Sequence, residues 1–248
     1  MNHEYVNRVV DLTDPRKNII YNMTVDEAVE LVRAGNAEGI RGIDGQFALF
    51  AVEGKTIRMA RSIGRPLRFF IAKLKDGPCL VLAERIDTIY NYLKQEGLDD
   101  QFHPSYTRMA PAHYLTTIEL LGCPDPSPVH QRFFTPERNR LVGTSVEEIG
   151  KQYMSALYEE IKKWLQHRAR NGPIGVSFSA GIDSGSVFLL TYHPLQELGQ
   201  SPTTRKALTH SVERAGQDLK HATNFLKAQN LQLIIEPREQ STSPLDTK

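Results

Sequence analysis

The sequence predicts an α/β fold built in two parts, and three observations carry that prediction. From position 174 onward, short apolar β-prone runs alternate with helix-like runs in the order strand, helix, strand, helix, strand, which implies a parallel sheet with right-handed crossovers. Before position 122, apolar runs come in pairs around glycine-containing turns, which reads as hairpins interleaved with a few helices. Between the two parts, prolines at 124, 126, 128 and 136 remove backbone donors and fix φ. The expected organisation is therefore a first domain over 1–122, an extended linker over 123–143 and a second domain over 144–248.

In chain order, 24–34 reads as a helix, with Thr24 as its cap and Glu27 completing a capping box. Runs 46–52 and 56–60 pair around Glu53-Gly54-Lys55, and runs 67–74 and 78–83 around Lys75-Asp76-Gly77. Ile86, Ile89, Tyr90 and Leu93 fall on one side of a helix over 86–95, and 113–121 reads as a strand. A long helix over 145–168 starts with a second capping box, Ser145 and Glu148. Its Ile149, Met154, Leu157, Ile161 and Leu165 recur at helical spacing and are expected in a core. The alternating second half then reads as strand 174–178, helix 184–192, strand 206–212, helix 218–228 and strand 231–235, with a polar tail from 237 expected to fray.

Composition narrows the class. A hydrophobic share of 40% and a charged share of 24% are those of an ordinary globular protein. Thirty basic against 29 acidic residues give a formal net charge of +1, which makes no electrostatic case for nucleic acid or an anionic membrane. No apolar run approaches the roughly 20 residues of a membrane span. The first five residues have no secretory signature, and Cys79 and Cys123 lack metal-ligand spacing, so reduced thiols in a cytoplasmic protein are expected.

The chemistry concentrates in one stretch. The strand ending Val176-Ser177-Phe178 runs into Ser179-Ala180-Gly181-Ile182-Asp183-Ser184 and then into a helix. A strand, a tight turn and a helix N-terminus gather unpaired amides and hydroxyls into an anion cradle. Small residues let the backbone approach a phosphate closely. No Gly-Lys-Ser/Thr follows, so the loop is not of the Walker type. It lies at the carboxyl end of a strand, where α/β sheets bind ligands.

This loop resembles the pyrophosphate loop, Ser-Gly-Gly-x-Asp-Ser, of ATP pyrophosphatases, a group that includes asparagine, GMP and NAD synthetases and tRNA-thiolating enzymes. The flanking segments narrow the resemblance. Gly42-Ile43-Asp44-Gly45-Gln46-Phe47-Ala48-Leu49 is similar to the core strand of class II glutamine amidotransferase domains. Ala60-Arg61-Ser62-Ile63-Gly64-Arg65-Pro66-Leu67 resembles the segment that follows it, Leu82-Ala83-Glu84-Arg85-Ile86 a divergent Ala-Ser-Glu-Ile, and Ala110-Pro111-Ala112-His113-Tyr114 the Pro-Pro-Gly-His-Tyr turn near its end. Their order is that of the asparagine synthetase-like family, with its β-lactam synthetase and lasso-peptide cyclase branches, and the resemblance covers roughly 40–240.

The resemblance implies a degenerate N-terminal-nucleophile (Ntn) type α+β layer followed by an incomplete doubly wound adenine nucleotide α-hydrolase-like domain. It implies ATP and Mg²⁺ as cofactors and carboxylate adenylation with release of AMP and pyrophosphate, followed by attack of an amine or ammonia. Ser177, Ser179, Ala180, Gly181, Ile182, Asp183, Ser184 and Val212 match its ATP-binding positions, with Asp183 holding Mg²⁺ through phosphates. No catalytic residue is assigned. The departures are equally specific. Asn2 stands where the family has its nucleophilic Cys, Ser62 replaces an Asp, Ala180 a Gly and Gly185 a Ser. The glutamine-binding strands and the C-terminal lobe have no counterpart, so no glutaminase activity is expected. A partner chain completing the lobe, or an inactive nucleotide-binding or scaffold module, stays open beside the ligase.

Each residue also has a plainer role. Asp183 suits the first turn of a helix on dipole grounds, Asp218 an N-cap, and Val212 a buried strand position. His113 and His210 suit hydrogen-bonded strand positions, Arg61, Arg65 and Arg68 a solvated basic face, and Phe133, Phe134 and Trp164 packing between the two parts.

Overall fold

A computed structural model of the protein describes residues 4–74, 76–123, 127–138, 141, 143–167, 173–201, 204–211, 217–229, 231 and 234–239. It divides into two compact units, Met1–Arg138 and Asn139–Lys248. Among the described residues no helix is long and apolar enough to cross a membrane.

The first unit runs β1 (Glu4–Tyr5), β2 (Arg8–Asp11), β3 (Ile19–Ile20), α1 (Val25–Arg33), α2 (Ala37–Arg41), β4 (Gly45–Gln46), β5 (Ala48–Glu53), β6 (Thr56–Arg61), β7 (Arg68–Leu74), β8 (Gly77–Ala83), α3 (Ile86–Gln95), β9 (Arg108–Met109), β10 (Tyr114–Glu119), β11 (Leu121–Cys123) and β12 (Val129–Arg132). Two four-stranded sheets form its centre, in the orders β12-β10-β6-β5 and β2-β8-β7-β9. All pairings in them are antiparallel except β2 with β8.

Strand alternation turns these sheets into four layers. Ala48, Ile57, Met59, Phe69, Leu80, Leu82 and Ile118 meet in one apolar cluster between the sheets. The intervening residues Leu49, Ala51, Ala60 and Leu115 face the opposite way and pack with Ala28, Val32 and Ile40 of α1 and α2. Phe70, Ala72, Val81 and Ala83 do the same on the other sheet, against Ile89 and Leu93 of α3. The result is a helix–sheet–sheet–helix sandwich. Each fully buried Leu, Ile or Phe contributes about 1.5–3 kcal/mol. The expected capping box is present: Thr24 Oγ1 accepts from Glu27 N–H, and Glu27 Oε2 accepts from Thr24 N–H.

Part of the stretch expected as a linker belongs to this unit. Val129–Arg132 pairs with β10, and Phe133 is buried in the α1-side cluster, stacked on Phe47 at 6.3 Å. Prolines flank this strand rather than interrupt it, so they leave its ladder intact. Phe133 therefore packs inside the first unit's own core.

The second unit comprises α4 (Val146–His167), β13 (Ile174–Ser177), α5 (Ile182–Glu197), β14 (Arg205–Ser211), α6 (Gln217–Ala228) and β15 (Ile234–Glu239). The three strands are parallel in the order β13-β14-β15. This is one winding of the expected incomplete doubly wound sheet, and a second winding is not seen among the described residues. The order never reverses, so two right-handed crossovers carry α5 and α6 to the same face. Phe188 and Leu195 of α5 and Ala222 and Leu226 of α6 accordingly share one cluster with Ile174, Val176 and Ala207. On the opposite face Gly175 and Ser177 are exposed. Among the described residues there is no strand-order switch point.

Two further differences concern α4 and β15. In α4 only Leu165 is buried, while Val146 and Tyr153 of its first half are exposed, so the helical stripe enters the core only at its end. β15 lies three positions beyond the expected strand and runs through Pro237 to Glu239, a proline that an edge strand tolerates.

Candidate functional site

The loop between β13 and α5 is held from below. Phe178 N–H donates to Leu208 O at 2.9 Å, and Thr209 Oγ1 donates to Phe178 O at 2.9 Å, so the strand's end is stitched to β14. The Phe178 ring lies 4.9 Å from Phe188 and 5.5 Å from Phe225, which ties it to both crossover helices. Arg205, at the start of β14, is fully buried and stacks on Phe188 at 4.5 Å and Tyr192 at 4.9 Å. It donates to Phe188 O at 2.6 Å and Thr191 Oγ1 at 3.0 Å. Burial lowers its pKa to about 10, so it keeps its charge at neutral pH. On the outer side of α5, Tyr158 and Lys162 of α4 donate to Glu197 at 2.5 and 2.7 Å.

Above this base the chain turns sharply. Ala180 has φ +59°, in the left-handed region that an L-residue occupies at a cost. The turn forms despite the alanine methyl, because the stitched strand and the packed helix fix its two ends. Gly181 is the N-cap of α5 in extended conformation and makes no side-chain cap bond, as glycine has none to offer. The first-turn amides of Ile182, Asp183 and Ser184 therefore have no intrahelical acceptor. Ser184 Oγ accepts from Ser179 N–H at 3.2 Å, lies 3.1 Å from Ser179 Oγ and reaches Gly181 O at 3.3 Å.

Ser177, Ser179, Gly181, Ile182 and Asp183 are exposed, and Ala180 and Ser184 are half-buried. Seven of the eight expected ligand-binding positions thus run from the end of β13 through the turn into the first turn of α5, and the eighth, Val212, lies outside the described residues, as does Asn2. Asp183 sits in the first turn of α5, and no group of three or more His, Cys, Asp or Glu is gathered among the described residues. At Gly185 a Cβ would meet Phe225 at an ordinary 3.7 Å, so packing does not demand glycine there.

The arginine cluster of the first unit is not a solvated face. Arg61 and Arg65 are buried. Arg61 Nε donates to Ala110 O at 2.5 Å, and its Nη1 reaches the carbonyls of Ser62, Ile63 and Arg65, which clamps the 62–65 turn. Burial and the neighbouring Arg68 push its pKa down. Arg65 Nη2 meets Glu84 Oε1 at 2.8 Å, and Lys17 meets Glu84 Oε2 at 3.0 Å. Burial pushes the Glu84 carboxyl up, but hydrogen bonds from Arg65 and Lys17 outweigh it and hold the pKa below the ordinary value. Ser62 Oγ accepts from Phe47 N–H at 3.0 Å, a structural role. His113 precedes β10 in a turn with φ +64°, its ring 4.9 Å from Phe134. Burial, with Arg132 and Arg61, lowers its pKa.

Sequence reasoning missed the Ser179–Ser184 pairing and the Arg65–Glu84 pair. The second had a faint signal, since an acidic residue at the end of an apolar strand has to find a cation. Compared with known protein families and with curated proteins, the chain matches none.

Proposed function

We propose that the chain is an asparagine synthetase-like, ATP-dependent amide-forming ligase that lacks its own glutaminase and works in the cytoplasm. The observation that carries this reading is the β13–α5 turn. A parallel strand ends in small residues, the backbone reverses through Ala180, and two serine hydroxyls and a set of first-turn amides converge at a helix N-terminus. The helix–sheet–sheet–helix layering of the first unit supports the companion reading, a degenerate amidotransferase-like Ntn layer kept as scaffold.

In this reading the amides of Ala180 to Ser184 and the hydroxyls of Ser179 and Ser184 hold the pyrophosphate end of ATP, with Ser177 and Val212 beside the adenine. They stabilise negative charge as pyrophosphate departs from the activated carboxylate, an electrostatic role. A single exposed carboxylate, Asp183, suits Mg²⁺, which takes most of its ligands from phosphate and water. Held there, the metal would supply neutralisation of phosphate charge. The carboxylate substrate is a small molecule or peptide, the nucleophile an amine or ammonia, and a partner chain completes the sheet beyond β15.

Two observations favour a second reading, a scaffold module that does not turn over. Ser184 Oγ already satisfies Ser179 N–H, and Ala180 keeps a methyl group in the turn. Calorimetric titration with Mg-ATP decides between them. Millimolar or tighter binding, abolished by Asp183→Asn with Ser184→Ala, supports the ligase, and pyrophosphate release stimulated by a carboxylate with an amine completes it. No heat of binding at millimolar Mg-ATP leaves the scaffold.

A further inference from the structure

The edge of β7 in the first unit carries a gap in its hydrogen-bond ladder. On the β8 side, Pro78 O and Leu82 O are turned away toward Asn7 N–H and Leu12 N–H, so Lys73 with Pro78, Ile71 with Leu80 and Phe69 with Leu82 are the non-hydrogen-bonded pairs. The N–H and C=O of Phe69, Ile71 and Lys73 therefore point to the open edge, as does Leu67 O, which accepts from Ala110 N–H at 2.9 Å.

Along that edge the partners run out. Leu67 has Ala110, and Phe69 is paired with Arg108 of β9. Continued in register, Tyr106 would face Ile71 and Pro104 would face Lys73. Proline has no N–H for the ladder, and the chain instead curls into a 3₁₀ turn over Pro104–Tyr106. At Lys73 the side chain of Gln101 substitutes for a strand: its Oε1 accepts from Lys73 N–H at 2.8 Å, and its Nε2 donates to Lys73 O at 2.8 Å. Nothing fills the same role at Ile71. Among the described residues its N–H and C=O have no partner, and Ile71 lines a hollow of about 330 Å³. Lys73, Ser105, Tyr106 and Arg108 line it, with two cations and no carboxylate among the lining residues.

We infer that this hollow binds a short acyl amino acid laid antiparallel along β7. The ligand's amide N–H donates to Ile71 C=O and its carboxylate oxygen accepts from Ile71 N–H, so antiparallel polarity sets the carboxylate at the Arg108 end and the acyl group at the Lys73 end, with the negative charge in the field of both lining cations. Gln101 at Lys73 is the intramolecular precedent for an amide bridging one residue of this edge. A volume at the lower end of small-molecule sites fits a ligand of one or two residues. The inference rests on the first unit alone and is independent of the nucleotide site.

The test uses the full chain, ¹⁵N-labelled, titrated with N-acetylglycine, N-acetylsarcosine and acetate. The sarcosine compound is the same acid with its amide hydrogen replaced by methyl. The expected result is a saturable shift of the Ile71 and Lys73 amide resonances by N-acetylglycine up to about 10 mM, with roughly tenfold weaker response to N-acetylsarcosine. Lys73→Met, at an exposed position, should weaken N-acetylglycine by a similar factor. No shift at Ile71, or an equal response to N-acetylsarcosine or to acetate, overturns the inference.

Discussion

The turn at Ala180 can be weighed by one substitution, Ala180→Gly. At φ +59° a residue with a Cβ carries roughly 1–2 kcal/mol of conformational cost that glycine escapes. Against that relief, glycine loosens the unfolded chain by about 0.4–1 kcal/mol. It also removes a half-buried methyl group that packs against the second unit's core, about 0.4 kcal/mol at half the value of a fully buried methylene. The balance runs from about 0.4 kcal/mol of destabilisation to about 1.2 kcal/mol of stabilisation. In an ordinary helical or extended position the same change would destabilise by about 1–1.5 kcal/mol. The chain has a single tryptophan, Trp164, and it lies in α4 of the second unit. Urea unfolding followed by its fluorescence therefore reports on that unit alone. A loss beyond about 1 kcal/mol would refute the strained turn. Ala180→Val, which puts a branched side chain into the same backbone conformation, should be the worse of the two.

Three other outcomes follow from contacts in the first unit. Glu84→Gln leaves the Arg65 guanidinium buried without its counter-charge, and should cost about 3 kcal/mol at neutral pH, near the low end for breaking a buried pair. Because the folded carboxyl titrates below its unfolded value, this contribution is present in full above about pH 4.5 and disappears as the pH falls through the folded value. Urea midpoints by circular dichroism at neutral and acid pH should show the variant's deficit relative to wild type shrinking in acid, and an unchanged gap in acid would contradict it. His113, whose pKa is lowered, should show an NMR titration midpoint below about 6.5, and its burial as the neutral form should make stability decline as the pH drops through that region. Thr24→Ala removes the capping box of α1 and should destabilise the first unit by about 1 kcal/mol, with faster amide exchange in the first turn of that helix.

What the sequence exposes and what it hides divide along physical lines. Local signals were legible: Thr24 with Glu27, Gly54 between two apolar runs, and the periodic Ile86, Ile89 and Leu93 all sit in the elements they predicted. Ser145 accepts from Glu148 N–H as expected, but the Glu148 side chain turns to Gln152 instead of closing the box. Long-range choices were not legible. Val129–Arg132 reads as proline-flanked linker until β10 offers it an edge. Arg65 reads as a surface charge until Glu84, 19 residues on, arrives from the bend that follows β8. In the candidate site, the positions of the turn were visible from residue size and order, whereas the backbone sign at Ala180 was not, because an alanine argues against the left-handed region and only the anchoring of Phe178 and Phe188 overrules it.

The parallel pairing of β2 with β8 also shapes how the first unit comes together in time. Arg8 meets Cys79, so β2 has to wait about 70 residues for its neighbour to be synthesised. The β7–β8 hairpin can close on its own as soon as it is synthesised, while β2 joins only afterwards, as a late docking event with a large loop already spent. Refolding of this unit should accordingly show early protection of Phe69 to Leu82 and delayed protection of Val9 and Val10.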